Sequence, residues 1–372
     1  MVEQQEKKVE YLELIYDLIF VYLIGRNNSL LYNIEGGFVP VDAFLTYVLC
    51  SLAVIQIWNF STFYMNLYGR NGVRDHIFLF INMYLLYHMA DGISTGWHSS
   101  FYQFCFAWFL IFLNIGSQHW IEMRNHRSAP WVLQQLKQKT LILFAEAALV
   151  LVHMLIYYKT GVSIAYVPVI FGIAATILSG RKASNIPVDF GHLSERAMLF
   201  VVFTFGEMII SITGYFSERI TPRNLYFSGM AFLIAAGLFL SYEVFYNKLV
   251  DTEAAVNGIG YMMIHVFLIF ALNNISVALE FMRVEEVALL PKTVFITCSF
   301  ILYFTFLFLA CLYAKRNCIF TARSYGSIAV LGAVFLILMI LFRKNMMLNI
   351  AVSAAYVYLV FVIMYRHGKK SE

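Results

Sequence analysis

The chain has 372 residues, of which 61% are hydrophobic and only 13% charged, with 35 Phe, 24 Tyr and a formal net charge of +4. Its mean hydropathy is +0.72, and the polar residues that remain cannot cover a water-soluble surface, which excludes an ordinary soluble enzyme or binding module. The basic residues sit in short connections and form no continuous face, which excludes nucleic acid as a partner.

Apolar runs recur at intervals of about 20 residues, each long enough to cross about 30 Å of hydrocarbon. Strand alternation is absent, so the expected fold is all-α, a polytopic transmembrane helix bundle of about 12 spans. The first span, near 10–30, carries Glu13 and Asp17, which a cleavable signal peptide would not, so it is expected to stay in the mature chain. Glu10, Glu13 and Asp17 fall at i, i+3 and i+7 and share one helix face. The first two complement the helix dipole. Asp17 lies about two turns in and needs a partner or a function, because an ionised side chain in a bilayer costs at least about 2.5 to 3.5 kcal/mol. Arg26 ends the same span and looks the opposite way.

Spans near 42–66, 76–93 and 99–121 follow, with Asn82 inside the third. The connection "EMRNHRSAPWVLQQLKQK" at 122–139 is basic and reads as a cytoplasmic loop or a short segment on the inner leaflet. Spans near 140–158 and 163–180 complete a first set of six, the fifth carrying Glu146 and His153 on one face. The seventh, near 193–214, lies in "GHLSERAMLFVVFTFGEMIIS", where His192, Arg196, Phe203 and Glu207 make one stripe. Arg196 and Glu207 differ by only about 20° in azimuth but lie about 16 Å apart along the axis, so each needs a partner on another helix. Glu195, three residues after His192, borders the stripe within reach of the imidazole. Spans near 225–247, 258–279, 292–314, 324–342 and 347–365 close the chain, with Glu243 and His265 on the eighth and ninth.

Three stretches recur at a spacing near 182 residues. "LIFVYLIGR" at 18–26 answers "LFVVFTFGE" at 199–207, "FYMNL" at 63–67 answers "FYNKL" at 245–249, and "NMYLLYHMAD" at 82–91 answers "HVFLIFALNN" at 265–274. The pattern predicts two parallel six-helix repeats, 1–181 and 182–372, which place Arg26 and Glu207 at equal depth and make Asn82 the counterpart of His265. Glu207 is expected to meet Arg26 across the two halves, and Arg196 to meet Asp17 or Glu13. Most Lys and Arg fall on one side if both termini are cytoplasmic, which sets the expected orientation. Five scattered cysteines without a C-x-x-C, and no H-x-x-x-H, predict no disulfide framework, no metal site and no cofactor.

"VEYLELIYDLIFVYLIG" at 9–25 and "HLSERAMLFVVFTFGEMIIS" at 192–211 resemble the two signature helices of the bacterial low temperature requirement A (LtrA) family. Those helices read approximately E-L-F-Y-D-L-V-F-V-F-A-I and H-x-x-E-R-x-G-L-F-x-x-I-x-L-G-E. The match carries Glu13, Asp17, Phe20, His192, Glu195, Arg196, Phe200, Gly206 and Glu207, and "WNFSTFYMNLYGRNGVRD" at 58–75 is similar to a weaker block. Arg26 departs from the pattern, which has an uncharged polar residue there, so an Arg26–Glu207 pair belongs to this branch. The resemblance implies a multi-pass protein of the bacterial inner membrane linked to growth in the cold, and no established biochemical activity.

The buried charges point first to a secondary transporter or permease for an ion or small polar solute, with proton coupling through Asp17, Arg26, His192, Glu195, Arg196 and Glu207. Glu13, Asn82, Glu146, Glu243 and His265 are the further polar lining. An enzyme acting on a lipid or lipid-linked substrate, with Glu195 and His192 as acid and base, and a structural or sensor protein without transport activity are the alternatives. The expected partners are the lipid bilayer and the transported ion or small molecule, and a homodimer is compatible with the sequence.

Overall fold

The computed structural model of the chain describes residues 7–93, 97–126, 128–182, 188–216 and 221–369. Among these residues the fold is all-α, with twelve helices: α1 (Tyr11–Asn28), α2 (Val41–Tyr68), α3 (Val73–Asp91), α4 (Trp97–Glu122), α5 (Pro130–Thr160), α6 (Tyr166–Lys182), α7 (Phe190–Ile212), α8 (Pro222–Val244), α9 (Ile259–Arg283), α10 (Leu289–Ala310), α11 (Ala322–Leu341) and α12 (Met346–Lys369). Extended pairing is confined there to isolated bridges at Glu35–Phe38 and Val250–Ala314.

Nine of these helices, α2, α4, α5 and α7 to α12, are long and apolar enough to cross a membrane. The other three differ for reasons visible in their residues. α1 has 18 residues but holds Glu13, Asp17 and Arg26. α3 places Arg74, Asp75 and Asp91 at its ends. The apolar part of α6 is only Tyr166–Ser179. Twelve helices therefore match the twelve expected runs, while nine rather than twelve qualify as spans on length and hydropathy. The polar connection at 122–139 is largely absorbed into helix. α4 runs to Glu122, and α5 starts at Pro130, whose fixed φ suits the first helical position. α5 ends at Gly161, left-handed at φ +70, whose N–H bonds Tyr157 O at 2.8 Å.

α1 shows why the fold is of membrane type. Its exposed residues include Tyr11, Ile15, Leu18 and Tyr22, a continuous apolar stripe, whereas Glu13 and Asp17 are buried beside Tyr16 and Phe20. A helix at a water interface has the opposite polarity.

The chain forms two compact units. The first comprises Met1–Asn33, Pro40–Phe200 and Ala255–Met262, and the second Ile34–Val39, Val201–Ala254 and Met263–Glu372. In the first, α4 packs along α3 and α5, α1 along α2 and α3, and α6 along α2 and α5. Side-chain amides pin these helices. Asn27 Nδ2 donates to Tyr47 O at 3.0 Å and Ser51 Oγ at 2.7 Å, and Asn114 Nδ2 donates to Phe78 O and Asn82 Oδ1, both at 2.9 Å. In the second unit, α8 packs along α12. Gly237 permits the close approach, since a Cβ there would lie 2.7 Å from Val357 Cγ1. Tyr303 OH donates to Leu238 O at 3.0 Å, tying α10 to α8.

Candidate functional site

The first unit holds a fully buried charged cluster built by α1, α2 and the start of α7. Its placement begins with the entry into α7. Asp189 precedes that helix and its Oδ1 accepts the His192 N–H at 3.0 Å, as a helix N-cap does. Asp189 Oδ2 accepts the Lys7 N–H at 3.0 Å. The Lys7 ammonium reaches the last carbonyls of α2, bonding Met65 O and, at 2.8 Å, Gly69 O. A cation there complements the negative end of the helix. Burial is the main influence on Lys7 and lowers its pKa below the ordinary lysine value.

The geometry of the cluster follows from helical spacing. Glu13 and Asp17 lie one turn apart on α1 and face α7, where His192 and Arg196 are likewise one turn apart. Arg196 Nη2 meets Asp17 Oδ1 at 2.5 Å, its Nε meets Asp17 Oδ2 at 3.3 Å, and its Nη1 reaches Glu13 Oε1 at 3.3 Å. The guanidinium thus grips one carboxylate with two nitrogens and a second with the third. Trp58 Nε1 on α2 donates to Asp17 Oδ1 at 2.8 Å. Glu13 Oε2 accepts from Glu10 N at 3.0 Å and faces His192 Nε2 at 3.1 Å. All four carboxylate oxygens therefore have donors, although Glu13, Asp17 and Arg196 are each 0% exposed. Phe200 seals the outer edge, with its ring 4.6 Å from Trp58 and 6.2 Å from Phe20.

The hydrogen bonds also fix the histidine. Asn66 Nδ2 donates to Asp189 O at 2.8 Å, a contact only the amide nitrogen can make, and the same nitrogen lies 3.0 Å from His192 Nδ1. His192 Nδ1 must therefore accept, and the ring hydrogen sits on Nε2, aimed at Glu13. In this buried group two carboxylates thus face one guanidinium and one imidazole.

The other sequence-derived residues are spread more widely. Arg26, in the first unit, occupies the last turn of α1, where a cation suits the helix dipole, and its buried Nε has no hydrogen-bond partner. Glu207, in the second unit, is half-buried. Arg26 and Glu207 thus fall in different units. Glu195 is half-buried on α7, and both imidazole nitrogens of His192 are taken by Asn66 and Glu13 rather than by it. Asn82 is buried on α3 and bonded to Asn114. Glu146 is buried on α5. Glu243 is exposed, and its neighbour Tyr242 is the residue whose hydroxyl lies 3.1 Å from His265 Nε2. Among the described residues no three His, Cys, Asp or Glu side chains are grouped to hold a metal ion.

Trp58, Asn66, Asp189 and Lys7 complete the cluster and were not singled out as site residues from the sequence. Asp189 carried a usable signal, an Asp three residues before His192 at a helix start.

The family model described as bacterial low temperature requirement A protein (LtrA) matches residues 8–365, nearly the whole chain and every residue of this cluster except Lys7. The chain belongs to the LtrA family. It is thus an LtrA-family, membrane-type helical protein. No curated protein matches the chain.

Proposed function

We propose that this LtrA-family chain is a secondary transporter or permease of the bacterial inner membrane, moving an ion or small polar solute with proton coupling, with both termini cytoplasmic. The observation that carries this reading is the buried Glu13–Asp17–Arg196–His192 group, in which two carboxylates face a single guanidinium beside an imidazole. Two carboxylates against one guanidinium in an apolar helix bundle leave a place for a further cation or proton in part of a cycle. His192 supplies a site for that proton. On protonation Nδ1 becomes a donor and loses its bond from Asn66, so gain of the proton and release of the α2 contact are linked. The two proposed repeats, 1–181 and 182–372, would give such a protein two halves to rearrange about its site.

A second reading, a structural charge lock, draws support from the donors already present at every carboxylate oxygen. Purified chain in liposomes with a trapped pH-sensitive dye separates the two. Under a panel of ion gradients and small polar solutes, the transport reading expects a dye response that Asp17→Asn abolishes at equal folded amounts. No response from the wild type across the panel would leave the charge lock.

A further inference from the structure

The core formed by α2, α5 and α6 in the first unit contains a second ionisable group with an environment unlike that of the α1–α7 cluster. Glu146 is 0% exposed. The space a Cβ on Gly172 of α6 would need is filled by Glu146 Oε1 and by Gln56 Nε2 from α2, at 1.8 and 1.9 Å from that position. The glycine thus makes room for two polar heads side by side. Neither oxygen of Glu146 and neither end of the Gln56 amide completes a hydrogen bond of normal geometry. Among the described residues no cation lies within ion-pairing distance of the carboxyl.

The groups that face it are few. α2 contributes the Gln56 amide, and α6 contributes the Gly172 backbone. On α5 itself, Lys139 and His153 stand seven residues before and after Glu146, so the three share one stripe at about 10.5 Å intervals. Lys139 Nζ lies 3.4 Å from Ser179 Oγ and 6.0 Å from the Phe60 ring. His153 is buried, its Nδ1 accepts the Ile164 N–H at 3.2 Å, and its Nε2 has no partner, so its hydrogen is on Nε2 and undirected. On α4, which packs against α5, His119 is committed to Ile115 O at 2.9 Å.

An anion with no cation in ion-pairing contact and no complete donor set is not sustained in such a core, whereas a neutral acid is. We infer that Glu146 is a proton-binding site in the core of the first unit, held as the carboxylic acid beside Gln56. Binding is simple protonation of one carboxylate oxygen, with no other bond formed or broken. This inference is independent of the transport reading, since a proton is bound whether or not a solute moves.

Infrared spectroscopy of the purified full-length chain in lipid nanodiscs tests it. The expected result at neutral pH is an un-ionised carboxylic carbonyl band that shifts when glutamate is labelled with 13C at its carboxyl and is lost in Glu146→Gln. An unchanged band in Glu146→Gln overturns the assignment. If that variant does not fold, the labelled wild type decides alone, because a spectrum with no un-ionised glutamate band also overturns it. A band that disappears on adding sodium at constant pH would make the site one for a metal cation and overturn the proton assignment.

Discussion

Two buried polar regions of the first unit teach opposite lessons. Around Arg196 every carboxylate oxygen has a donor, and three helices converge to supply them. Around Glu146 two helices supply only an amide and a glycine, and the polar atoms lack complete bonds. The first arrangement favours ionised side chains, since guanidinium and carboxylates stabilise each other and the Trp58, His192 and Glu10 donors finish the shell. The second favours a neutral acid. Burial is total in both, so the difference lies in the partners and not in exposure.

Removing Arg196 should produce the largest effect. Arg196→Leu leaves two buried carboxylates without their cation, and a loss of about 3 to 5 kcal/mol is expected, seen as lost monodisperse protein in size-exclusion chromatography. Adding Glu13→Gln and Asp17→Asn to that variant should recover much of the yield, since no buried charge is then stranded. Trp58→Phe is next. It keeps a ring against Phe200 but removes the donor to Asp17 Oδ1, and about 1 to 3 kcal/mol should be lost, read as a lower melting temperature in detergent. Glu146→Gln should change stability by less than about 0.5 kcal/mol, because an amide replaces an acid of the same shape. A large loss there would erase the contrast between the two regions.

The smallest effect concerns Lys7. Because burial lowers its pKa in the folded chain, the folded state sheds this proton at lower pH than the unfolded state does. Its contribution therefore makes stability rise with pH across the alkaline window between the two values. Melting temperatures of wild type and Lys7→Met, followed from neutral to alkaline pH, should differ in slope in that sense.

Much of this was legible from spacing alone. Residues at i, i+3 and i+7 put Glu13 and Asp17 on one face, and i, i+4 put His192 and Arg196 on another, so the composition of the cluster follows from two short stretches. What spacing cannot show is which helix supplies the remaining donors. Trp58 and Asn66 sit on α2 in an aromatic, Asn-bearing run that has many equivalents in the chain, and nothing local marks them as partners of α1 and α7. Arg26 admits a purely local reading as well. A cation in the last turn of a helix satisfies the dipole by itself, so its presence does not demand a carboxylate elsewhere. The difference between twelve runs and nine span-grade helices has a similar cause, since α1 trades hydropathy for the charges of the cluster.

A double-mutant cycle between Asp17 and Arg196, read by thermal melts of wild type, Asp17→Asn, Arg196→Gln and the double variant, tests the interlocked cluster most directly. The structure predicts a coupling of about 2 to 3 kcal/mol, with the double variant melting well above the sum of the single losses. Additive losses would contradict an ionised Asp17–Arg196 pair at the heart of this unit.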